Sequence, residues 1–510
     1  MAVEADCLVI PEPLVKNRHW TSRHLPAVML FGLILLWRLA QVQHLALPAW
    51  VDSVHHALLV RLLLEQGQIP ATWAPYLPDV PFYYHFGFHL TAAAVTVLTG
   101  LNVGQSVLLA GQVWQAAMAP GVYLLSLTIW KDRLAALMAM LLVGFVSQMP
   151  AYATTWGRYT LLAGLVLLSL ALAAAIAGRP LLLAGLTAAI AITHYYTFLL
   201  LLLFVAIRLV VPGGGKRQVV WGSVAGVLLA SPWLIWVLWQ ALNRRLLYVA
   251  AGPQSADYTP EYMAYLLGPA RNYVLLALAL MGLVIVIRRV WQNPAAASPG
   301  LIALLVWSGL LIAFLGPWRL GPFRPDLHAA LVIFLPAVLF AGAALRQMRR
   351  PLLGGLVIAV LVVWGIIQTR DIVNPATILA TPADVTALDW VAANTPPQAV
   401  FLIDVAPWES QWRGADGGWW ITPLTGRPTV IPPAVYGWGS PALVDRFRAL
   451  GVRIYALRQA DNAVYCQRLA AVMADAGAMY YYTRSPRPEQ CAGLQPVYQQ
   501  SQGVFIYRSN

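Results

Sequence analysis

PAWVDSVHHALLVRLLLEQGQIPATWAPYLPDVPFYYHFGFHL, residues Pro48–Leu90, is the densest group of ionisable and aromatic side chains in the N-terminal half of the chain. Asp52 comes just after Pro48, beyond a long apolar run. His55 and His56 follow within about one helical turn. Glu65, the turn-like GQIP at Gly67–Pro70, Asp79 and the aromatic run Phe82-Tyr83-Tyr84-His85-Phe86 complete the stretch. A plain connector between apolar segments needs none of these groups. Charge held next to hydrocarbon is costly, so an acid at the mouth of a helix bundle is a functional candidate.

The flanks decide the class. The chain has 510 residues, of which 60% are hydrophobic and 10% charged, against roughly 25% charged in a soluble domain. Mean hydropathy is +0.67. The fold expected is a polytopic α-helical membrane protein. Its spans are Leu25–Val42 (interrupted by Arg38), Gln105–Trp130, Leu134–Gln148, Thr160–Ala177, Pro180–Thr193, Phe198–Val211, Val219–Leu242, Tyr273–Ile287, Leu301–Gly316, Ala329–Leu345 and Leu352–Gln368, about 11 in all. Ser53–Gln66 reads as a helix lying at the membrane interface. Phe86–Leu98 is short for a span and is read as a second juxtamembrane helix that does not cross.

Charge orients these spans. With the N-terminus cytoplasmic, the inner segments carry Lys16, Arg18, Arg23, Lys131, Arg133, Arg179, Arg208, Lys216, Arg217, Arg288, Arg289, Arg346, Arg349 and Arg350. The outer loops carry half as many basic residues over longer segments, which fits the positive-inside rule. The net charge of +13 is therefore spread over span ends. It forms no single basic face, which argues against nucleic acid as a partner. Residues 1–24 read as a cytoplasmic tail leading into a retained signal-anchor. Residues 25–370 form the membrane module, with a first outer loop at 43–104.

Beyond residue 371 no run is long enough to span. Helix-like segments (Asp384–Asn394, Pro441–Leu450, Ala463–Ala476) alternate with strand-like ones (Val400–Asp404, Val452–Leu457, Tyr480–Thr483, Val504–Tyr507). A small α/β domain is expected over 371–510, on the extracytoplasmic side. The chain has three cysteines, Cys7, Cys466 and Cys491, with no CxxC spacing, so a zinc site is not expected. Cys466 and Cys491 read either as a disulfide or as two buried thiols.

Asp52 is the sharpest catalytic candidate. A carboxylate there suits a general base or a metal ligand; the structural alternative is an N-cap for Ser53–Gln66. Arg158, in MPAYATTWGRYT, suits a phosphate because its planar fork donates paired hydrogen bonds. Arg324 lies with Arg319, Asp326 and His328 in WRLGPFRPDLH and suits a lipid phosphate. His85 and His89 are spaced i, i+4, a spacing used by zinc ligands, yet a satisfied polar face explains them as well. His194 ends a span in THYYT. His55, His56, His85, His194, Arg158 and Arg324 are the substrate-binding candidates. The paired tryptophans of DGGWWITPLTGRPT read as core.

The order of these parts resembles the GT-C fold of integral-membrane glycosyltransferases. A basic N-terminus and one span lead to a long outer loop opening with an aspartate. Amphipathic helices, PFYYHFGFH, many short spans and an outer α/β domain follow. The resemblance implies a sugar transferase using a polyprenyl-phosphate-linked donor and a glycan, lipid or protein acceptor of the cell envelope, in contact with membrane lipid. It implies a catalytic role for Asp52, the acid of the first outer loop. Members often carry a second acid in the next outer loop. Met149–Thr160 has none, nor is there a DxD or ExD, so a divalent metal cofactor stays an open expectation. GWWITPLTGRPT resembles the WWDxG region of oligosaccharyltransferases but lacks the acid after Trp420, so a peptide-binding role is not carried over. Two other readings fit the sequence. One is a lipid or solute transporter; the other is a non-catalytic membrane protein that displays its outer domain.

Overall fold

The computed structural model describes residues 18–243, 272–294, 297–315, 325–348, 351–408, 411–433, 435–500 and 503–510. Arg319, Arg324 and Cys7 lie outside them. Helix α1 (Arg18–Val42) leads to a long loop. That loop holds α2 (Trp50–Gln66), the hairpin β1 (Thr72–Trp73) with β2 (Leu77–Pro81), and α3 (Gly87–Thr99). There follow α4 (Val103–Trp130), α5 (Arg133–Leu141), α6 (Tyr159–Ile176), α7 (Pro180–Thr193), α8 (Tyr195–Val210) and α9 (Lys216–Asn243). Then come α10 (Tyr273–Gln292), α11 (Pro299–Phe314), α12 (Pro325–Val332), α13 (Phe334–Leu345) and α14 (Pro351–Thr369). Among the described residues six helices are long and apolar enough to cross a membrane, the bent pair α3–α4 makes a seventh if it is one span, and four shorter apolar helices accompany them. Among the described residues these segments fall on the spans expected from the sequence, and the chain is an integral membrane protein. The axes of α3 and α4 meet at 116°, so α3 does not extend α4 along one line.

Local chemistry sets the ends. Asn102 caps α4 by accepting from the Gln105 N–H, and Gly100 closes α3 in the left-handed region (φ 71°). Asp132 caps α5 and also takes the Arg346 guanidinium at 2.7 Å, tying the end of α13 to the start of α5. Arg38, mid-helix in α1 and 1% exposed, is bound to the Gln41 side chain and to the carbonyls of Val143 and Gly144. Those two carbonyls lie in a π-helical turn, Leu142–Val146. A charge inside an apolar helix persists only when so satisfied.

After α14 come α15 (Pro382–Asn394), β3 (Phe401–Ile403), β4 (Val405–Trp408), β5 (Gln411–Gly414), α16 (Ile421–Thr425), α17 (Pro441–Leu457), α18 (Asn462–Ala476), β6 (Tyr480–Thr483), β7 (Leu494–Gln500) and β8 (Val504–Ser509). The main sheet runs β3-β6-β8-β7. β3 and β6 are parallel; β6–β8 and β7–β8 are antiparallel. Val452–Leu457, expected as a strand, is the second half of α17. Phe447, Ile454 and Leu457 are buried there at helical spacing, which outweighs the β-branched content of the segment. Cys466 and Cys491 are joined by a disulfide.

Two apolar cores result. The first lies within the membrane helices. The second joins the loop after α1 to the C-terminal region: Val54, Leu58 and Leu62 of α2 pack with Leu388, Trp419, Trp420 and Ile421. Helix α2 is therefore not an interfacial helix with one wet face. Ten of its 17 residues are buried, and burying each large apolar side chain contributes roughly 1.5–3 kcal/mol. Trp419 and Trp420 are core, and Trp420 closes on Gly104 at the start of α4.

Candidate active site

Helix α2 begins beside the loop between α5 and α6. Ala49, extended, occupies the N-cap position and offers no side-chain cap, and Trp50 enters the helix with φ 66°. That backbone is costly for a bulky residue. The Arg413 guanidinium, 4.4 Å from the Trp50 ring centroid, holds it from the C-terminal side. Asp52 is thus not the N-cap. It sits inside the first turn, where unpaired N–H groups and the helix dipole favour negative charge.

Met149–Thr160 reaches the start of α2 through Gly157. A side chain there would strike Ser53 and the Ala49 carbonyl, and its φ is 67°. Only glycine lets the two backbones meet so closely. The next residue, Arg158, is the N-cap of α6, with its guanidinium 5.2 Å from the Trp156 ring centroid. Asp52 and Arg158 converge on Tyr84. The Tyr84 hydroxyl is pushed above its usual range by burial and then by the Asp52 charge, while its bond to Thr160 and the Arg158 charge oppose the shift.

Tyr84 and His85 belong to the aromatic run, which is strapped across the ends of three helices. The Phe82 carbonyl accepts from Trp236, the Tyr83 carbonyl from Tyr195, and the Phe86 N–H donates to the Ile192 carbonyl. Gly87 then fits against Thr193 with no room for a Cβ. This docking sets His85 flat on Tyr84, ring centroids 4.0 Å apart, and 5.2 Å from the His194 ring. His194 caps α8, its Nδ1 accepting from the Thr197 N–H at 3.3 Å. His56 and His89 are bonded Nδ1 to Nε2 at 2.9 Å.

The i, i+4 pairing of His85 and His89 does not exist on one helix, because α3 starts at Gly87 and leaves His85 in the preceding strap. Burial pushes His55 down to about 4, His89 and His194 down to about 3, and His56 and His85 well below the usual imidazole range. All five are neutral at physiological pH.

Of the residues singled out from the sequence, His56 and His85 lie against the Tyr84 ring, the charges of Asp52 and Arg158 act on its hydroxyl, and His194 is joined to it through His85. His55 turns away, toward Trp408 and Trp419 of the C-terminal region, with ring centroids 5.8 and 6.2 Å away. Arg324 lies outside the described residues. Tyr84, Thr160 and Gly157 were not picked out. The glycine before an arginine and the tyrosine before a histidine were the available signals, and neither separates a site from a turn. Among the described residues no three His, Cys, Asp or Glu side chains come together in a group that could hold a metal. His56 Nδ1 and His194 Nδ1 are already committed to His89 and to Thr197.

No protein-family model matches the sequence, and no curated protein matches it. Solved structures do match in fold. The oligosaccharyltransferase AglB of Archaeoglobus fulgidus, in complex with an inhibitory peptide and a dolichol-phosphate, aligns at TM-score 0.57 and 11% identity over 91% of this chain and 70% of its own. ArnT of Cupriavidus metallidurans, bound to undecaprenyl phosphate, aligns at 0.59 and 12% over 95% and 98%. The mycobacterial arabinofuranosyltransferase AftD aligns at 0.58 and 16% over 96% and 40%. These are GT-C glycosyltransferases, and this chain has their fold.

Proposed function

We propose that the chain is a membrane glycosyltransferase that moves a sugar from a polyprenyl-phosphate donor to an envelope acceptor on the outer face of the cytoplasmic membrane. The observation that carries this reading is the GT-C fold, with the charges of Asp52 and Arg158 both acting on the buried Tyr84 hydroxyl. AglB with dolichol-phosphate and ArnT with undecaprenyl phosphate support a lipid-phosphate donor.

In this mechanism Asp52 takes the proton of the acceptor hydroxyl as its oxygen attacks the anomeric carbon. The bond from that carbon to the phosphate oxygen breaks on the opposite face, and polyprenyl phosphate leaves. Arg158 neutralises the departing phosphate. One base and an in-line acceptor give inversion. The neutral imidazoles of His56, His85 and His194 offer hydrogen bonds to sugar hydroxyls without adding charge beside the phosphate. His55 acts from the domain side, and Arg324 is a second phosphate contact. No step is routed through a metal.

The N-terminus is assigned to the cytoplasm and residues 371–510 to the outside. The basic residues at the span ends support this, and so does the Cys466–Cys491 disulfide, which suits an oxidising compartment. The domain limits are 1–24, 25–370 and 371–510. Arg38, whose two terminal nitrogens are bonded to Gln41 and to the carbonyls of the π-helical turn, weighs against a midplane transport site. Purified protein incubated with radiolabelled polyprenyl-phosphate sugars and an envelope acceptor extract tests the proposal. Absence of transfer from every donor would overturn it.

A further inference from the structure

The C-terminal region contains a second polar site, remote in sequence from Asp52. β3 and β6 run parallel, Phe401 beside Tyr480 through Ile403 beside Tyr482. Ligand crevices form beyond the carboxyl ends of parallel strands. Asp404 follows β3 there, Arg484 and Ser485 follow β6, and a cavity of about 470 Å³ opens between them. That size lies within the roughly 300–1,000 Å³ range of small-molecule sites.

Its walls are oppositely charged. On one side Asp404 accepts from the Tyr481 hydroxyl and from Thr483, both at 2.8 Å. Asp416, only 7% exposed, accepts one hydrogen bond, from the Gly418 N–H to Oδ1 at 2.9 Å. Its other oxygen has no hydrogen-bond partner among the described residues. Neither carboxylate is in an ion pair among the described residues. Burial first, and then the Asp404 charge, push the Asp416 carboxyl up to about 7; Asp384 adds to this and Arg484 opposes it. On the other side stand Arg458 and Arg487, neither of them ion-paired among the described residues. Arg487 is fixed by the Leu457 and Ala460 carbonyls and lies over the Tyr465 ring at 4.1 Å. Arg484 is taken by the buried Asp384. The cavity thus holds two carboxylates, Asp404 and Asp416, and two guanidiniums, Arg458 and Arg487, that form no ion pair among the described residues.

We propose that this cavity binds a small zwitterion, its primary ammonium against Asp404 and Asp416 and its phosphate or carboxylate against Arg458 and Arg487. Burying an unpaired carboxylate is unfavourable. An ammonium removes that penalty and displaces the proton that Asp416 otherwise retains. The phosphoethanolamine group has this chemistry, whether free or as a lipid headgroup.

Calorimetric titration of the purified full-length protein at pH 8 with O-phosphoethanolamine tests the assignment. Saturable binding is expected. Asp416→Asn, which keeps an acceptor for the Gly418 N–H, should weaken it at least about tenfold without lowering the melting temperature. Arg458→Met, at an exposed position, should weaken it while leaving the response to ethanolamine alone unchanged. Affinity should also fall as pH drops from 8 to 5.5 and Asp416 gains its proton. Competition by phosphatidylethanolamine in nanodiscs identifies a lipid source, and its absence identifies a soluble one; the zwitterion assignment stands in both. No saturation at millimolar probe, equal affinity for inorganic phosphate, or unchanged binding in Asp416→Asn would overturn it. No sugar donor is present, so failure here leaves the transferase proposal untouched.

Discussion

His56 Nδ1 and His89 Nε2 lie 2.9 Å apart, joining α2 to α3 across 33 residues of sequence. One nitrogen donates and the other accepts, so the bond as drawn needs a neutral acceptor ring. Burial holds both rings below the usual imidazole range. Protonating the pair would put two like charges side by side in a dry site.

The pair makes the fold acid-sensitive. Its folded pKa values are depressed, so below about pH 6.5 the unfolded chain binds protons that the folded chain does not. Stability should fall from there toward about pH 3, where His89 gains its proton in the folded chain. Asp416 acts with the opposite sign, because its raised pKa favours the folded chain as pH falls toward 4. Comparing melting curves of wild type and His89→Gln between pH 7.5 and 4.5 isolates the histidine contribution. The variant should lose less stability on acidification; identical slopes would contradict the neutral pair.

Asp52→Asn should lower transfer by roughly 10²–10⁴-fold, the range for general acid–base groups. Asp52 sits in the first turn of α2, where the helix dipole contributes about 0.3–1 kcal/mol for a negative charge, and asparagine keeps the shape of the side chain. The melting temperature should barely move. Wild-type turnover in Asp52→Asn would remove it from the chemistry.

Arg158→Met should raise the KM for the lipid-linked donor about tenfold or more, since a hydrogen bond to a charged group is worth about 1.5–3 kcal/mol. Arg158→Lys should recover only part of the loss, because an ammonium lacks the paired fork. Full recovery by lysine would mean that charge alone matters there.

Replacing both Cys466 and Cys491 by serine opens a loop with a sequence separation of 25. The chain-entropy argument predicts a loss of about 3–4 kcal/mol. Chemical denaturation of the C-terminal region, followed by tryptophan fluorescence, measures it. An unchanged midpoint would show that the bridge adds nothing to stability.

Topology is tested by labelling single cysteines in a Cys7→Ser background. Ser298→Cys and Ser440→Cys are exposed positions at the starts of α11 and α17. A membrane-impermeant maleimide should reach Ser440→Cys from outside intact cells and Ser298→Cys only after permeabilisation. The reverse pattern would invert the proposed orientation.

The positions of the spans, the acid at the start of the outer loop and the paired-tryptophan core were legible in the sequence. Each follows from local composition: twenty or so apolar residues cross a bilayer, and an acid among them stands out wherever it falls. The N-cap alternative for Asp52, a helical face shared by His85 and His89, and a strand at Val452–Leu457 were sequence readings that the structure overturned. Helix starts and β-branched runs are decided by what packs against them. Tertiary structure alone decided that Gly157 brings Arg158 to the start of α2, that the Phe82–Gly87 strap lays His85 on Tyr84, and that α2 is buried between the membrane helices and the C-terminal region. These contacts join residues about 100 to 360 positions apart, set by close approach of backbones at glycine and by shared apolar cores. A linear pattern records that such groups exist. Packing determines which of them meet.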